Sequence, residues 1–222
     1  MRRILEPELM EDPIQSLAYA EADFEIPHNM FVRLFQETFC KDEISGFVLD
    51  LGCGPGDVLF RFCRAYPKCV VHGIDGSEAM LRCGEGILKR KPDIRDRVEL
   101  VCGVLPGCKA PRDQYQVVIS NSLLHHLAEP MVLWDAVNLY ACHGAPIFIM
   151  DLRRPASCDE AVKLVNMYAA NEPEILRRDF YYSLLAAFEM DEILVQLRDA
   201  NLDQLQVKAI GDRHVTIAGY MD

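Results

Sequence analysis

Val48-Leu-Asp-Leu-Gly-Cys-Gly-Pro-Gly-Asp57 is an apolar strand pattern that runs straight into a glycine-rich turn. Glycines at 52, 54 and 56 let the backbone turn tightly and let a ligand approach main-chain atoms without meeting a Cβ. A helix opening at Asp57 then presents free N–H groups and the positive end of its dipole. Such a corner suits a nucleotide-type or anion-type ligand on an open sheet. A dinucleotide site prefers G-x-G-x-x-G, but the last of those positions is Asp57 here, and its carboxylate would face a pyrophosphate. A phosphate-binding P-loop needs Gly-Lys-Ser/Thr, and no lysine follows Gly56. Phosphate cradling is disfavoured on both counts.

Working outward, Cys69–Ile74 reads as a second buried strand closing on Asp75. An acidic side chain at that strand end accepts hydrogen bonds from ribose hydroxyls; the alternative is a carboxylate capping the helix beside Ser77. The pattern then alternates. Helices are expected over Asp57–Tyr66, Ser77–Lys91 and Pro130–Cys142, and strands over Val98–Cys102, Gln116–Ser120 and Pro146–Met150. Continuous apolar strands alternating with helices imply a parallel sheet buried on both faces. Helices are expected again over Glu160–Ala170, Ser183–Phe188 and Asp191–Ala200, with Arg177–Tyr182 read as a loop. Gln204–Ile210 and His214–Tyr220 are strand patterns joined by Gly-Asp-Arg, a link too short for anything but an antiparallel hairpin. Before the first strand, Pro13–Ala22 and His28–Cys40 read as amphipathic helices, with Pro27 marking a boundary. The expected division is therefore a helical lid over 1–45 and an α/β domain over 46–222.

Composition bounds the rest. The chain of 222 residues has 23 Lys and Arg against 34 Asp and Glu, a net charge of −11, and is 50% apolar. That apolar fraction builds a large core and excludes disorder, collagen and coiled coil for most of the chain. The acidity disfavours nucleic acid and anionic membranes, which need a basic surface. No apolar run approaches the ~20 residues of a spanning helix, and Glu6 and Glu8 interrupt what Arg2 and Arg3 begin of a signal sequence. The expectation is a cytoplasmic protein. Nine cysteines without a C-x-x-C read as reduced, mostly buried thiols.

VLDLGCGPGD, GIDGSEAML and VVISNSLLHHL together resemble the class I S-adenosylmethionine-dependent methyltransferases, in particular small-molecule enzymes of the ubiquinone and menaquinone type. The resemblance covers residues 46–152. It implies a doubly wound, mostly parallel seven-stranded sheet of order 3-2-1-4-5-7-6 with strand 7 antiparallel, which agrees with the C-terminal hairpin. It also implies S-adenosylmethionine as cofactor. Asp50 and the backbone of Gly52, Cys53 and Gly54 would hold its methionine end, Asp75 the ribose, and Gly76 and Met80 the adenine. Met80 reads equally well as ordinary core. Asn121 would stand near the sulfonium, and Tyr19 would close from the N-terminal side. The family often has a Gly-Asp pair after strand 3; here the pair is Gly103-Val104, followed by Leu105, which leaves adenine to backbone groups and apolar packing.

Methyl transfer from a sulfonium is an in-line displacement, so the protein mainly aligns the acceptor and excludes water. His125 and His126 leave strand 4 at the edge where ligands bind, as a proton acceptor, a pocket wall or plain loop residues. His126 is preferred as base. Asp151, taken to follow strand 5, would orient an acceptor, and Arg178 and Tyr181 would join the roof. No metal is expected, because no cluster has ligand spacing and adjacent histidines point apart in regular structure. The expected reaction is methylation of a small molecule bearing an acidic or ionisable group. The rivals are a tRNA or rRNA methyltransferase, a non-catalytic cofactor-binding protein and a nicotinamide reductase; a homodimer is left open.

Overall fold

The computed structural model describes residues 1–6, 9–40 and 43–222. Seven strands form one sheet: β1 (Gly46–Leu51), β2 (Cys69–Asp75), β3 (Val98–Cys102), β4 (Val117–Asn121), β5 (Pro146–Leu152), β6 (Gln206–Ile210) and β7 (His214–Tyr220). Their order is β3-β2-β1-β4-β5-β7-β6, with β7 antiparallel to both neighbours and the other pairings parallel. The expected sheet is the observed one. Its chain order reverses between β1 and β4, and an open α/β sheet binds ligands at such a switch point.

Two apolar layers flank the sheet, as the period-2 alternation of strand side chains requires. On one face Leu49, Leu51, Val118, Ile147 and Ile149 pack under α5 (Met131–Tyr140) and α8 (Met190–Asp199), around fully buried Trp134. On the other, Val48, Val71, Val117, Ile119 and Phe148 pack under α3 (Asp57–Ala65), α4 (Glu78–Leu88) and α2 (Glu25–Thr38). Phe31 and Phe35 of α2 are fully buried and meet Phe148 edge-on, with ring centroids 5.0 and 5.7 Å away. Thus α2 belongs to the core layer. α1 (Pro13–Glu21) lies across α4, beyond that layer, and also touches α7 (Glu174–Ala186). Residues 7, 8, 41 and 42 of the expected lid stretch lie outside the described residues.

Three expectations are corrected. α2 starts at Glu25, so Pro27 lies inside its first turn, where a helix does not use the missing N–H. Arg177–Tyr182 is helical: Leu176, Phe180 and Leu184 recur every four residues, and Phe180 and Leu184 seat α7 against α6 (Cys158–Tyr168). Asp151 lies within β5, because pairing with β7 continues through Asp151↔Val215 and Leu152↔His214.

Candidate active site

One cavity opens at the carboxyl ends of β1, β2 and β4. Its lining includes Tyr19, Asp50, Gly52, Cys53, Gly54, Asp75, Gly76, Met80, Val104, Leu105, Asn121 and His126. The glycine turn shapes it. Gly54 has φ +52°, and a Cβ there would project into open space, so the main chain lies bare to a ligand. Gly56, at φ +85°, is the residue from which α3 starts.

Asp75 ties the corner together. Its Oδ2 accepts the Gly54 N–H and its Oδ1 accepts the Ser77 N–H, both at 2.8 Å. Ser77 rather than Asp75 caps the helix, and each Asp75 oxygen keeps a second lone pair for a ligand donor. Burial raises the Asp75 pKa, against the pull of those two N–H groups. Ser77 caps α4 as expected, and its hydroxyl donates to the Met10 carbonyl, fixing the N-terminal segment at the cavity's edge. Met80 is 5% exposed and also lines the cavity, so it serves as core and wall together.

Two cavity acceptors, Asp50 Oδ1 and Asn121 Oδ1, are buried without a hydrogen-bond partner among the described residues. Burial, then the nearby Asp75 charge, raises the Asp50 pKa well above the carboxylate range. Buried polar atoms are almost always paired, so two orphans in one cavity mark where a ligand's donors belong. S-adenosylmethionine, which carries an ammonium and two ribose hydroxyls, fits this donor–acceptor pattern. Tyr19 has its pKa raised to about 12 by burial and then by the carboxylates of Asp75 and Asp57, so it remains a neutral donor.

His28 and Arg61 reach the cavity without having been singled out in the sequence. His28 Nδ1 and Arg61 Nε both meet Asp57 Oδ2 at 2.7 Å, and all three residues line the wall. Burial opposes the Asp57 charge, but these partners hold its pKa at about 2. The i, i+4 spacing of Asp57 and Arg61 was readable in the sequence; the arrival of His28 from α2 was not. Ser122 stands at φ +57°, a conformation costly for a residue with a Cβ, at the mouth of β4. No sequence signal marks it.

Asp151 and His125 lie behind the wall rather than in it. Asp151 is 2% exposed, and its Oδ1 meets His125 Nδ1 at 2.5 Å. Burial disfavours the His125 imidazolium, but Asp151, then Glu6, more than offset this and raise its pKa; burial would raise the Asp151 pKa, and His125 lowers it instead. The two histidine rings do not point apart. They stack with centroids 4.2 Å apart at 34°, and both reach Glu6. The short 3-10 turn over Leu124–His126 departs from regular helix or strand and brings neighbouring side chains to one side. Arg178 is mostly exposed beside Asp179, and neither it nor Tyr181 lines the cavity. α7 instead buttresses α1 through Gln15 Nε2, which donates to Asp179 Oδ2 at 2.7 Å.

Residues 48–139 match the family described as "Methyltransferase domain". The malonyl-[acyl-carrier protein] O-methyltransferase of Priestia megaterium is 31% identical over 105 residues, 47% of this chain and 35% of that protein. The trans-aconitate 2-methyltransferase of Mycolicibacterium gilvum is 33% identical over 84 residues, 37% of this chain and 28% of that one. The chain thus spans about a third of the length of the curated relatives it matches. Among solved structures, a SAM-dependent methyltransferase from Aquifex aeolicus aligns with TM-score 0.67 at 16% identity, over 95% of this chain and 99% of that one. The plantazolicin methyltransferase BpumL, in complex with SAH and a substrate analogue, aligns with TM-score 0.64 at 16% identity, over 95% and 85%. Residues 48–139 thus carry the methyltransferase-domain match, and the sheet order is that of the SAM-dependent methyltransferase fold.

Proposed function

We propose that the protein transfers a methyl group from S-adenosylmethionine to a small carboxylic acid. The observation that carries this reading is the cavity itself, where a bare glycine turn, Asp75 and the orphaned oxygens of Asp50 and Asn121 converge. The bound cofactor supplies an electrophilic methyl group on a sulfonium. Asp50, Asn121 and the Gly52–Gly54 backbone hold its methionine end, Asp75 the ribose, and Gly76, Met80, Val104 and Leu105 flank the adenine. Leu9, Met10, Tyr19 and Phe24 keep water from the reacting atoms, where alignment does most of the work.

His126 lies on the short turn after β4 and in the cavity lining, and it donates a hydrogen bond to the acceptor or takes its proton. Asp151 acts through His125 as a positioning residue. A carboxylate acceptor is already anionic and needs no base, so this reading does not require His126 to act as one. The two relatives named above act on a malonyl group and on trans-aconitate, both carboxylic acids. That supports this acceptor class.

The test is incubation with S-adenosylmethionine and a panel of small di- and tricarboxylates and acyl thioesters, with release of the demethylated cofactor and product mass as readouts. A methyl ester formed on one of them is expected. Titration calorimetry without binding of either cofactor form overturns the whole reading. Tight binding without turnover on any acid, but with turnover on an amine or RNA, overturns the acceptor.

A further inference from the structure

A second cluster stands at the exit of β4, partly behind the cavity wall. Glu6, His125 and His126 each offer one ligand-type atom, and these atoms all lie within 4.8 Å of one another. Glu6 Oε1 lies 3.5 Å from His125 Nε2 and 3.2 Å from His126 Nδ1. Bonds of ~2.0–2.1 Å around a tetrahedral ion put neighbouring ligand atoms about 3.3–3.4 Å apart, which matches both spacings. The Glu6 side chain is 8% exposed, and its Oε1 is buried without a hydrogen-bond partner among the described residues, while Oε2 accepts from Ser183 Oγ at 3.3 Å.

The far side of His125 is held by Asp151, which also accepts the N–H groups of Leu124 and Leu152 at 2.7 and 2.6 Å. A carboxylate only accepts, so His125 Nδ1 carries the proton in this contact. In the neutral ring Nε2 is then a lone pair, and it faces the Glu6 carboxylate. A shared proton bridges these two groups in the metal-free protein, and a metal ion can take its place. Metal-binding histidines carry this same backing carboxylate, which fixes tautomer and ring orientation. Around the cluster, Glu6 and Asp151 contribute two negative charges, and Arg3 contributes one positive charge on the carbonyls of His125 and Leu127. A divalent ion on two neutral imidazoles therefore meets a net negative surround.

We propose that Glu6, His125 and His126 form a zinc-type metal site, with Asp151 positioning His125. Two imidazoles and one carboxylate suit zinc, whereas magnesium and calcium take oxygen ligands. Three protein ligands leave a coordination position for water. Because His126 also lines the cavity, the ion stands at its wall, and because Glu6 belongs to the N-terminal segment, the ion clasps that segment to the β4 exit. The site does not depend on the methyl-transfer reading.

The test strips the protein with a chelator under reducing conditions and titrates it with Zn²⁺ by calorimetry. Co²⁺ then serves as a spectroscopic probe, since the free cysteines are the competing ligands. One equivalent of Zn²⁺ is expected, with Co²⁺ giving tetrahedral ligand-field bands and no thiolate charge-transfer bands. Glu6→Gln and His126→Gln should each weaken binding by more than about a hundredfold, and Asp151→Asn by about 10–100-fold, the usual effect of losing a backing partner. Circular dichroism checks that each variant folds; if Asp151→Asn does not, the other two decide. Affinity of the Glu6→Gln variant for S-adenosylhomocysteine should stay within about twofold, which separates this site from the cofactor cavity. Absence of stoichiometric binding, thiolate bands, or unchanged Zn²⁺ affinity in Glu6→Gln overturns the proposal.

Discussion

At Asp75, one carboxylate serves two backbone N–H groups and, on the proposed reading, the ribose of the cofactor. Asp75→Ala removes all of these at once. Affinity for S-adenosylhomocysteine should fall about ten- to a hundredfold, the equivalent of ~1.5–3 kcal/mol for hydrogen bonds to a charged group. Calorimetry on the wild type and the variant reads this directly, and unchanged affinity removes Asp75 from the ligand-contacting set. The residues legible in the sequence were those fixed by local chemistry: the glycines, the strand-terminal acid, and Ser77 as cap. The His28–Asp57–Arg61 contact and the convergence of Glu6 on His125 and His126 join residues far apart in the chain. No spacing rule reaches such pairs. The reasoning that adjacent histidines must diverge failed for a local reason, because the Leu124–His126 segment is neither strand nor α-helix.

Elements were legible wherever an apolar period was long enough to count. The bounds of β3 and β7 are those expected, and the ends of most other elements move by a residue or two, where side chains no longer fix the backbone. α7 was half missed because Arg177–Tyr182 looks polar and aromatic, although Leu176, Phe180 and Leu184 mark its buried side. β5 outran its apolar run because β7 pairs with Asp151 and Leu152. That same pairing buries His214, whose pKa falls to about 4 through burial and then through Arg213. A histidine held neutral in the fold stabilises it fully above its unfolded pKa of about 6.5, and that contribution disappears as the pH falls toward 4. The loss attributable to His214 is about 3 kcal/mol. Denaturant melts from pH 7 to pH 4 should therefore be flatter for His214→Gln than for the wild type. Parallel curves remove His214 as a source of the pH dependence.

For the molecule as a whole, a ligand that binds only the folded state stabilises it by mass action. At a hundredfold excess over Kd the gain is about 2.7 kcal/mol, and a chain of this size then melts about 5–10 °C higher. S-adenosylhomocysteine should produce this shift in a thermal melt and a nicotinamide dinucleotide should not; the reverse result reassigns the cavity. The sheet order also has a consequence for how the chain is made. β6 reaches the sheet only through β7, so β5, with Ile147, Phe148 and Ile149, keeps an unpaired apolar edge until the final strand has been synthesised. During translation the cofactor corner from β1 to β4 is complete while that edge still lies open. Such an edge is a template for pairing with another chain. A ribosome stalled before Gln206 releases a product with the binding corner in place and a sticky flank, prone to aggregate, so the last strands protect β5 as well as complete the sheet.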